Sequence, residues 1–278
     1  MTEEATAEAM EQIFGASPSV YLDAETERAT TTVYLEAKPS RSALAQIRAR
    51  INQVHSPALE QPVVRRLESQ DWAESWKRHF KPIDIRGRLL IRPSWSRRRP
   101  RKGEAVVVLD PGLSFGTGQH ATTRFCLEQI VAWRRPALRQ SFLDIGTGSG
   151  ILAISAAKLG YSPVTGFDID RDAVRIARNN ARKNRVAERL RLKCRDVAKL
   201  AKPTSAHDLV CANLIYDVLL EHKKRIISQL RRPGVLVLAG ILRSQFEQVA
   251  KAYCDTGMNL VCSLCEGEWQ SGAFQFKD

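Results

Sequence analysis

Long apolar runs are missing from this 278-residue chain, and no stretch approaches the roughly 18 uninterrupted apolar residues that a membrane-spanning helix needs. The start, MTEEATAEAMEQIFG, is acidic where a secretory leader is basic and then apolar, which predicts a soluble, cytoplasmic protein without a membrane partner. Cysteine is sparse. The six, at 126, 194, 211, 254, 262 and 265, are too scattered for a disulfide framework, and four lie inside apolar runs, as buried reduced thiols do. One CxxC occurs, Cys262 and Cys265, but no second CxxC or CxxH completes a zinc quartet and no His has a plausible second ligand, so no metal is expected. Internal repeats and low-complexity stretches are absent too. Acidic residues are short in number: 30 Asp and Glu face 43 Lys and Arg, a net +13 that favours anionic partners such as RNA without naming a reaction. What is present, 44% hydrophobic and 26% charged residues, builds one large domain with an appendage or two modest domains, and excludes intrinsic disorder.

Up to about Gln70 the pattern reads helix, strand, strand, helix, strand. TEEATAEAMEQIFG has helical spacing, SVYLDA and TTTVYLEA are rich in β-formers, SALAQIRARINQV is an amphipathic helix with its Ser42 as cap, and VVRRLES is a short strand. That order is a small α+β ferredoxin-like unit without its first strand, a truncated version of the motif. In DWAESWKRHFKP, Trp72, Trp76 and Phe80 recur every fourth residue on one stripe of a helix ended by Pro82, as packing or as a base-stacking platform. A basic segment follows, with Arg86, Arg88, Arg92, Arg97, Arg98, Arg99, Arg101 and Lys102 around the strand LLIRPSW. Its SRRRPRKG part is a loop, read either as a solvated hairpin tip or as a contact to phosphates.

After AVVVLD, strands and helices alternate, which predicts a parallel sheet wrapped by helices. The strands are SFLDIG, SPVTGFDID, RLRLKCRD, DLVCANLI and GVLVLAG; the helices are ILAISAAKLG, RDAVRIARNNARKN, VLLEHKKRIISQL and SQFEQVAKAYCDTG. MNLVCSLC and GAFQFK close the chain as an antiparallel pair, since their connection is too short for a crossover. The predicted division is 1–70 for an N-terminal substrate-binding unit, 71–104 for a linker with the aromatic helix and basic hairpin, and 105–278 for the sheet domain.

Gly146, Gly148 and Gly150 stand between a buried strand and a helix, where glycine lets backbone pass close to a ligand beside free N–H groups. The pattern is GxGxG, distinct from both GxGxxG and GxxxxGK[ST]. Asp144 precedes it, and Asp168 ends the next strand, placed to accept hydrogen bonds from both hydroxyls of a ribose. A nucleoside ligand without phosphate follows, with S-adenosyl-L-methionine the obvious candidate; Asp196, after the third strand, falls near its adenine. Asn213 ends the fourth strand, where ligands of open α/β sheets gather, though an Asn there also serves as a plain turn residue.

The segment LDPGLSFGTGQHATTRFCLEQI, residues 109–130, resembles the DPGxxFGTGxHxTT signature of the ribosomal protein L11 methyltransferases, a class I S-adenosylmethionine-dependent family. Supporting matches are DWAESWKRHFKPIDI, RLLIRPSW, DIGTGSGILAISAAKLG, GFDIDRDAVRIARNN, ANLIYDVLLE and LAGILRSQ, so the likeness covers about residues 65–270. The resemblance implies a Rossmann-like sheet of seven strands carrying the methyltransferase, behind a small N-terminal domain. It implies that Phe115, Gly116, Thr117, Gly118, His120, Thr122 and Thr123 belong to a loop over the methionine end of the cofactor. It also implies that Asn213, in ANLIY, orients the amine that is methylated, a lysine or α-amino group of a basic ribosomal protein. ANLIY resembles the Asn-Pro-Pro-Tyr loop of amino-group methyltransferases without its prolines.

Charge stands against a simple encounter with that substrate, because a +13 enzyme repels a free basic protein at long range; contact with ribosomal RNA through the Arg86–Lys102 segment is one resolution. Two other readings stay open. One is an RNA N-methyltransferase with Tyr216 stacking on a flipped base; the other is a catalytically silent cofactor-binding protein associated with the ribosome.

Overall fold

A computed structural model describes residues 19–23, 28–33, 35, 39–53, 63–64, 80–110, 120–201 and 205–277. The chain divides into two compact units, Met1–Lys77 and Arg78–Asp278.

In the first unit, β1 (Ser19–Asp23) pairs antiparallel with β2 (Arg28–Thr32), in register from Ser19 opposite Thr32 to Asp23 opposite Arg28. Helix α1 (Arg41–Gln53) follows. Its cap is Ser40, whose hydroxyl accepts from the Ala43 N–H at 3.1 Å; Ser42, the expected cap, lies inside the first turn and meets the Ser40 hydroxyl at 2.9 Å. Strand, strand and helix thus follow the expected order. Val63 and Val64 of the expected strand VVRRLES are not in a strand, and the rest of that strand, the first helix and the aromatic helix with Trp72 and Trp76 lie outside the described residues.

The second unit holds two sheets. The smaller has β3 (Ile83–Ile85) antiparallel to β4 (Leu89–Arg92), and β4 parallel to β5 (Ala105–Val108), so the SRRRPRKG stretch is a crossover loop between parallel strands and not the expected hairpin tip. The larger has seven strands: β6 (Phe142–Ile145), β7 (Val164–Asp168), β8 (Leu190–Cys194), β9 (His207–Asn213), β10 (Leu230–Leu242), β11 (Met258–Glu266) and β12 (Trp269–Phe276). Their spatial order is β11-β12-β10-β9-β6-β7-β8, and β12 alone runs against its neighbours. From β6 the chain moves outward through β7 to β8 and then returns to β9 on the other side, so β6 and β9 flank a topological switch point.

Alternating residues feed two cores. Phe142, Leu209, Cys211, Val235 and Val237 face α2 (Ala121–Ala132), α3 (Ile151–Lys158) and α4 (Arg171–Lys183), together with Ile85, Leu89, Ile91 and Val107 of the small sheet. Leu143, Val210, Ala212, Leu236 and Leu238 face α5 (Tyr216–Glu221), α6 (Lys223–Ser228) and α7 (Arg243–Cys254). Burial on both faces explains why these strands read as near-continuous apolar runs.

Three expectations are corrected. VLLEHKKRIISQL is two helices, α5 and α6, because the backbone at His222 (φ −103°, ψ 16°) leaves the helical region between them. Thr122 and Thr123, expected in a loop, are buried in the first turn of helix α2, which carried no periodic signal because Thr122, Thr123, Phe125, Cys126, Leu127, Gln129, Ile130 and Val131 are all buried and leave little polar face. Only Cys126 and Cys211 of the cysteines are buried; Cys254 is half-buried, and Cys194, Cys262 and Cys265 are exposed on the two edge strands, all as free thiols.

Candidate active site

Strand β6 runs into a turn in which Gly146, Gly148 and Gly150 all have positive φ, at 75°, 52° and 82°. At Gly146 the requirement is also steric, for a Cβ there would sit 2.5 Å from Leu214 Cδ2. The Gly146 and Thr147 N–H groups both donate to the Phe167 carbonyl at 2.9 Å, and Gly150 N–H donates to the Thr147 carbonyl at 2.8 Å, which folds the turn against the end of β7.

Asp168, at that end, accepts from Gly148 N–H on one carboxylate oxygen (2.9 Å) and from Asp170 N–H on the other (3.1 Å). Each oxygen keeps a second lone pair for a ligand hydroxyl. The exposed apolar Ile169 follows it. Arg195 N–H donates to the Asp168 carbonyl at 2.8 Å, which brings the end of β8 alongside, and Asp196 caps the next short turn by accepting from Ala198 N–H at 2.8 Å.

Asp144 lies beneath the turn, fully buried. Its Oδ2 accepts from the Thr147 hydroxyl (2.8 Å) and from Ala153 N–H (3.2 Å), while Oδ1 has no partner. Burial pushes its pKa up to about 7, against the pull of those two donors and with a further push from the Asp168 charge. The buried Asp144 Oδ1 thus keeps its acceptor capacity for a donor or a positive charge.

On the other side of the switch point, Asn213 ends β9. Its Nδ2 donates to the Thr123 hydroxyl at 3.5 Å, in the first turn of α2. Its Oδ1 has room because residue 240 is glycine (φ 81°): a Cβ there would lie 3.0 Å from Oδ1 and 2.6 Å from the Leu214 carbonyl oxygen. One residue before the same helix, His120 Nδ1 meets the Thr122 hydroxyl at 2.7 Å, and its ring packs edge-on against Trp269 at 4.9 Å.

The turn residues Asp144, Gly146, Gly148, Gly150 and Asp168 therefore form one hydrogen-bonded unit, with Asp196 beside it. Asn213 and Thr123 form a second group, joined to the first where Leu214 covers Gly146. Phe115, Gly116, Thr117 and Gly118 lie outside the described residues. Thr147, Ile169, Gly240 and Trp269 were not foreseen. Gly240 had a signal, a glycine inside an apolar strand, and Trp269 had none.

A sheet of this order, with one antiparallel strand, a glycine turn after the first strand of the switch point and an acid ending the next, defines a class I S-adenosylmethionine-dependent methyltransferase. The family model for ribosomal protein L11 methyltransferase (PrmA) matches residues 1–277. Similar proteins bearing that name come from Trichlorobacter lovleyi, 41% identical over 75% of this chain and 69% of the relative, and from Geobacter sulfurreducens, 36% identical over 95% and 83%. The crystal structure of a ribosomal protein L11 methylase from Lactobacillus delbrueckii subsp. bulgaricus is 30% identical, with a TM-score of 0.64 over 72% of this chain and all of the other. The chain belongs to the ribosomal protein L11 methyltransferase family.

Proposed function

We propose that the protein methylates lysine or α-amino groups of ribosomal protein L11 and that Asn213 orients the amine. The observation that carries this reading is the tether of the Asn213 amide nitrogen to Thr123, which leaves Oδ1 as the acceptor at the strand end where ligands gather.

When bound, S-adenosylmethionine supplies a methyl group already activated by its sulfonium. The residues fit it: Asp168 has acceptor capacity for ribose hydroxyls, Ile169 offers apolar surface for a purine, and the unpartnered Asp144 Oδ1 suits a cationic amino-acid tail. Gly148 and Gly150 let the tail pass the backbone, and Asp196 stands on the adenine side. Thr122, Thr123 and His120, together with Phe115, Gly116 and Thr117, are assigned to the methionine end.

What remains for the chain is to align the amine and keep it neutral. For a lysine with an ordinary pKa of about 10.4, deprotonation at pH 7 costs about 4 to 5 kcal/mol. A water-poor channel lowers that cost by disfavouring the ammonium, and the Asn213 Oδ1 accepts one N–H of the neutral amine so that its lone pair faces the methyl. Residues 1–70 are assigned to substrate recognition.

Labelled S-adenosylmethionine incubated with purified L11, with and without ribonuclease, tests this. Label on L11 lysines or its α-amine, insensitive to ribonuclease, is expected; label confined to RNA contradicts it.

A further inference from the structure

Between Arg171 and Lys199 the chain carries eleven Arg and Lys against three acids, which is eight of its thirteen net positive charges. These residues build α4, the turn after it, and β8, the strand at the open edge of the main sheet. On α4, Arg171, Arg175, Arg178 and Arg182 succeed one another at intervals of four, three and four, and Arg185 continues the spacing just beyond the helix. Such spacing lays side chains in a single stripe. Ala173, Val174, Ala177 and Ala181 bury the side of the helix next to this stripe, while all five arginines are exposed.

Arg178 donates to the Leu192 carbonyl at 2.7 Å, so the stripe borders the β8 backbone. Along β8, Leu192 packs into the core shared with α4, and strand alternation turns the exposed Arg191 and Lys193 to the other face. Cations therefore line both sides of the sheet edge. Lys158, at the end of α3, adds to the same field: burial, and then the nearby Arg185 and Arg189, hold its ammonium below the usual lysine range.

Among the described residues, only Arg175 and Lys183 of these eleven have a carboxylate partner, Asp172 and Asp110. The basic segment at 86–102 differs, because Arg98 and Arg101 are both tied to Asp84, and the buried Glu104 stands 3.8 Å from Arg98. Eight of the eleven edge cations are arginine, whose planar fork matches phosphate bidentately. No aromatic residue occurs between 171 and 199, which disfavours both base stacking and anchoring in a lipid interface.

We propose that the α4–β8 edge binds the phosphate backbone of RNA without reading its sequence. The choice of RNA over DNA rests on the proposed ribosomal-protein substrate. A cationic enzyme and a basic substrate repel each other in free solution but gather on one polyanion, and an RNA held at β8 leaves the end of β9, three strands inward, open.

The test is fluorescence anisotropy of a labelled mixed-sequence RNA hairpin, titrated with the full chain across a series of KCl concentrations. The logarithm of affinity should fall linearly with the logarithm of salt. The combined variant Arg175→Gln, Arg182→Gln, Arg191→Gln and Lys193→Gln should lose at least tenfold in affinity, its slope shrinking by about 0.7 to 0.9 for each contact removed. The variant R175K/R182K/R191K, which keeps the charge but not the planar fork, should keep the parent's salt slope and bind between the parent and the glutamine variant. Unchanged thermal melting and cofactor binding establish that both variants fold. Loss of binding in R97Q/R99Q/K102Q but not in the edge variant overturns the proposal. So does parent-like binding by the edge variant, or tighter binding of duplex DNA, polyglutamate or phosphatidylglycerol vesicles than of RNA. No methyl transfer enters these readouts, so failure of the L11 assay and failure of this proposal are distinguishable.

Discussion

The Asn213 side-chain amide donates to the Thr123 hydroxyl, tying the end of β9 to the first turn of α2 across ninety positions of sequence. An amide that is otherwise free to flip is thereby given a donor side and an acceptor side. Thr123→Val removes the acceptor while nearly keeping shape, and Asn213 should then sample both orientations. We expect kcat to fall about tenfold, in line with the cost of small misplacements. Thr123→Ser should restore it, and initial-rate kinetics on L11 check both.

Gly240→Ala should damage stability and activity together. Its φ of 81° is strained for any L side chain, and the new Cβ would press on the Leu214 carbonyl and on Asn213 Oδ1. The left-handed backbone alone costs about 1 to 2 kcal/mol. Urea unfolding should show at least that loss, and turnover of the folded fraction should fall further because the acceptor is displaced.

Asp144 predicts a pH dependence of known sign. Its folded pKa, about 7, is raised above the ordinary 3.8 by burial, so the folded state holds this proton more tightly than the unfolded chain. The protonated carboxyl favours folding at low pH, and that contribution is lost as pH rises through the folded value. Across the window from 3.8 to about 7 it amounts to about 4 kcal/mol. Asp144→Asn should flatten this dependence and raise stability at pH 8. Because a cationic ligand favours the ionised form, cofactor affinity should rise with pH through about 7 in the parent and stay level in Asp144→Asn. Calorimetric titration at pH 6 and pH 8 checks it.

Arg134 is 9% exposed and has no carboxylate partner among the described residues. It donates instead to the Leu159, Leu138, Gly160 and Arg135 carbonyls and to Gln140 Oε1, and stacks over Tyr161 at 5.3 Å. Lysine offers one donor centre where this knot uses three nitrogens. Arg134→Lys should therefore cost about 2 to 3 kcal/mol through unpaired carbonyls, measured in urea, with kcat unchanged.

How much of this was legible in sequence differed by element for physical reasons. The glycine turn, Asp168 and Asn213 could be read because special backbone geometry and strand ends demand particular residue types. Strands β6, β9 and β10 could be read because burial on two faces leaves unbroken apolar runs, and β8 because its apolar and charged residues alternate. Helix α2 escaped because it too is buried nearly all round, and β3 because its three residues make no pattern, while β4 beside it was legible in LLIRPSW. The basic loop was conspicuous as a run of like charge, yet two of its arginines are paired with Asp84 of β3. The more cationic α4–β8 edge escaped because helical and strand periods interleave its arginines with core residues, so no run forms.

The most direct measurement of the central claim is single-turnover methylation of L11 by Asn213→Ala, beside its equilibrium affinity for S-adenosylmethionine. Loss of one oriented hydrogen-bonding group predicts a rate about 10² to 10³ times slower, with cofactor affinity within threefold of the parent. A rate equal to the parent's at unchanged affinity would contradict the role assigned to Asn213.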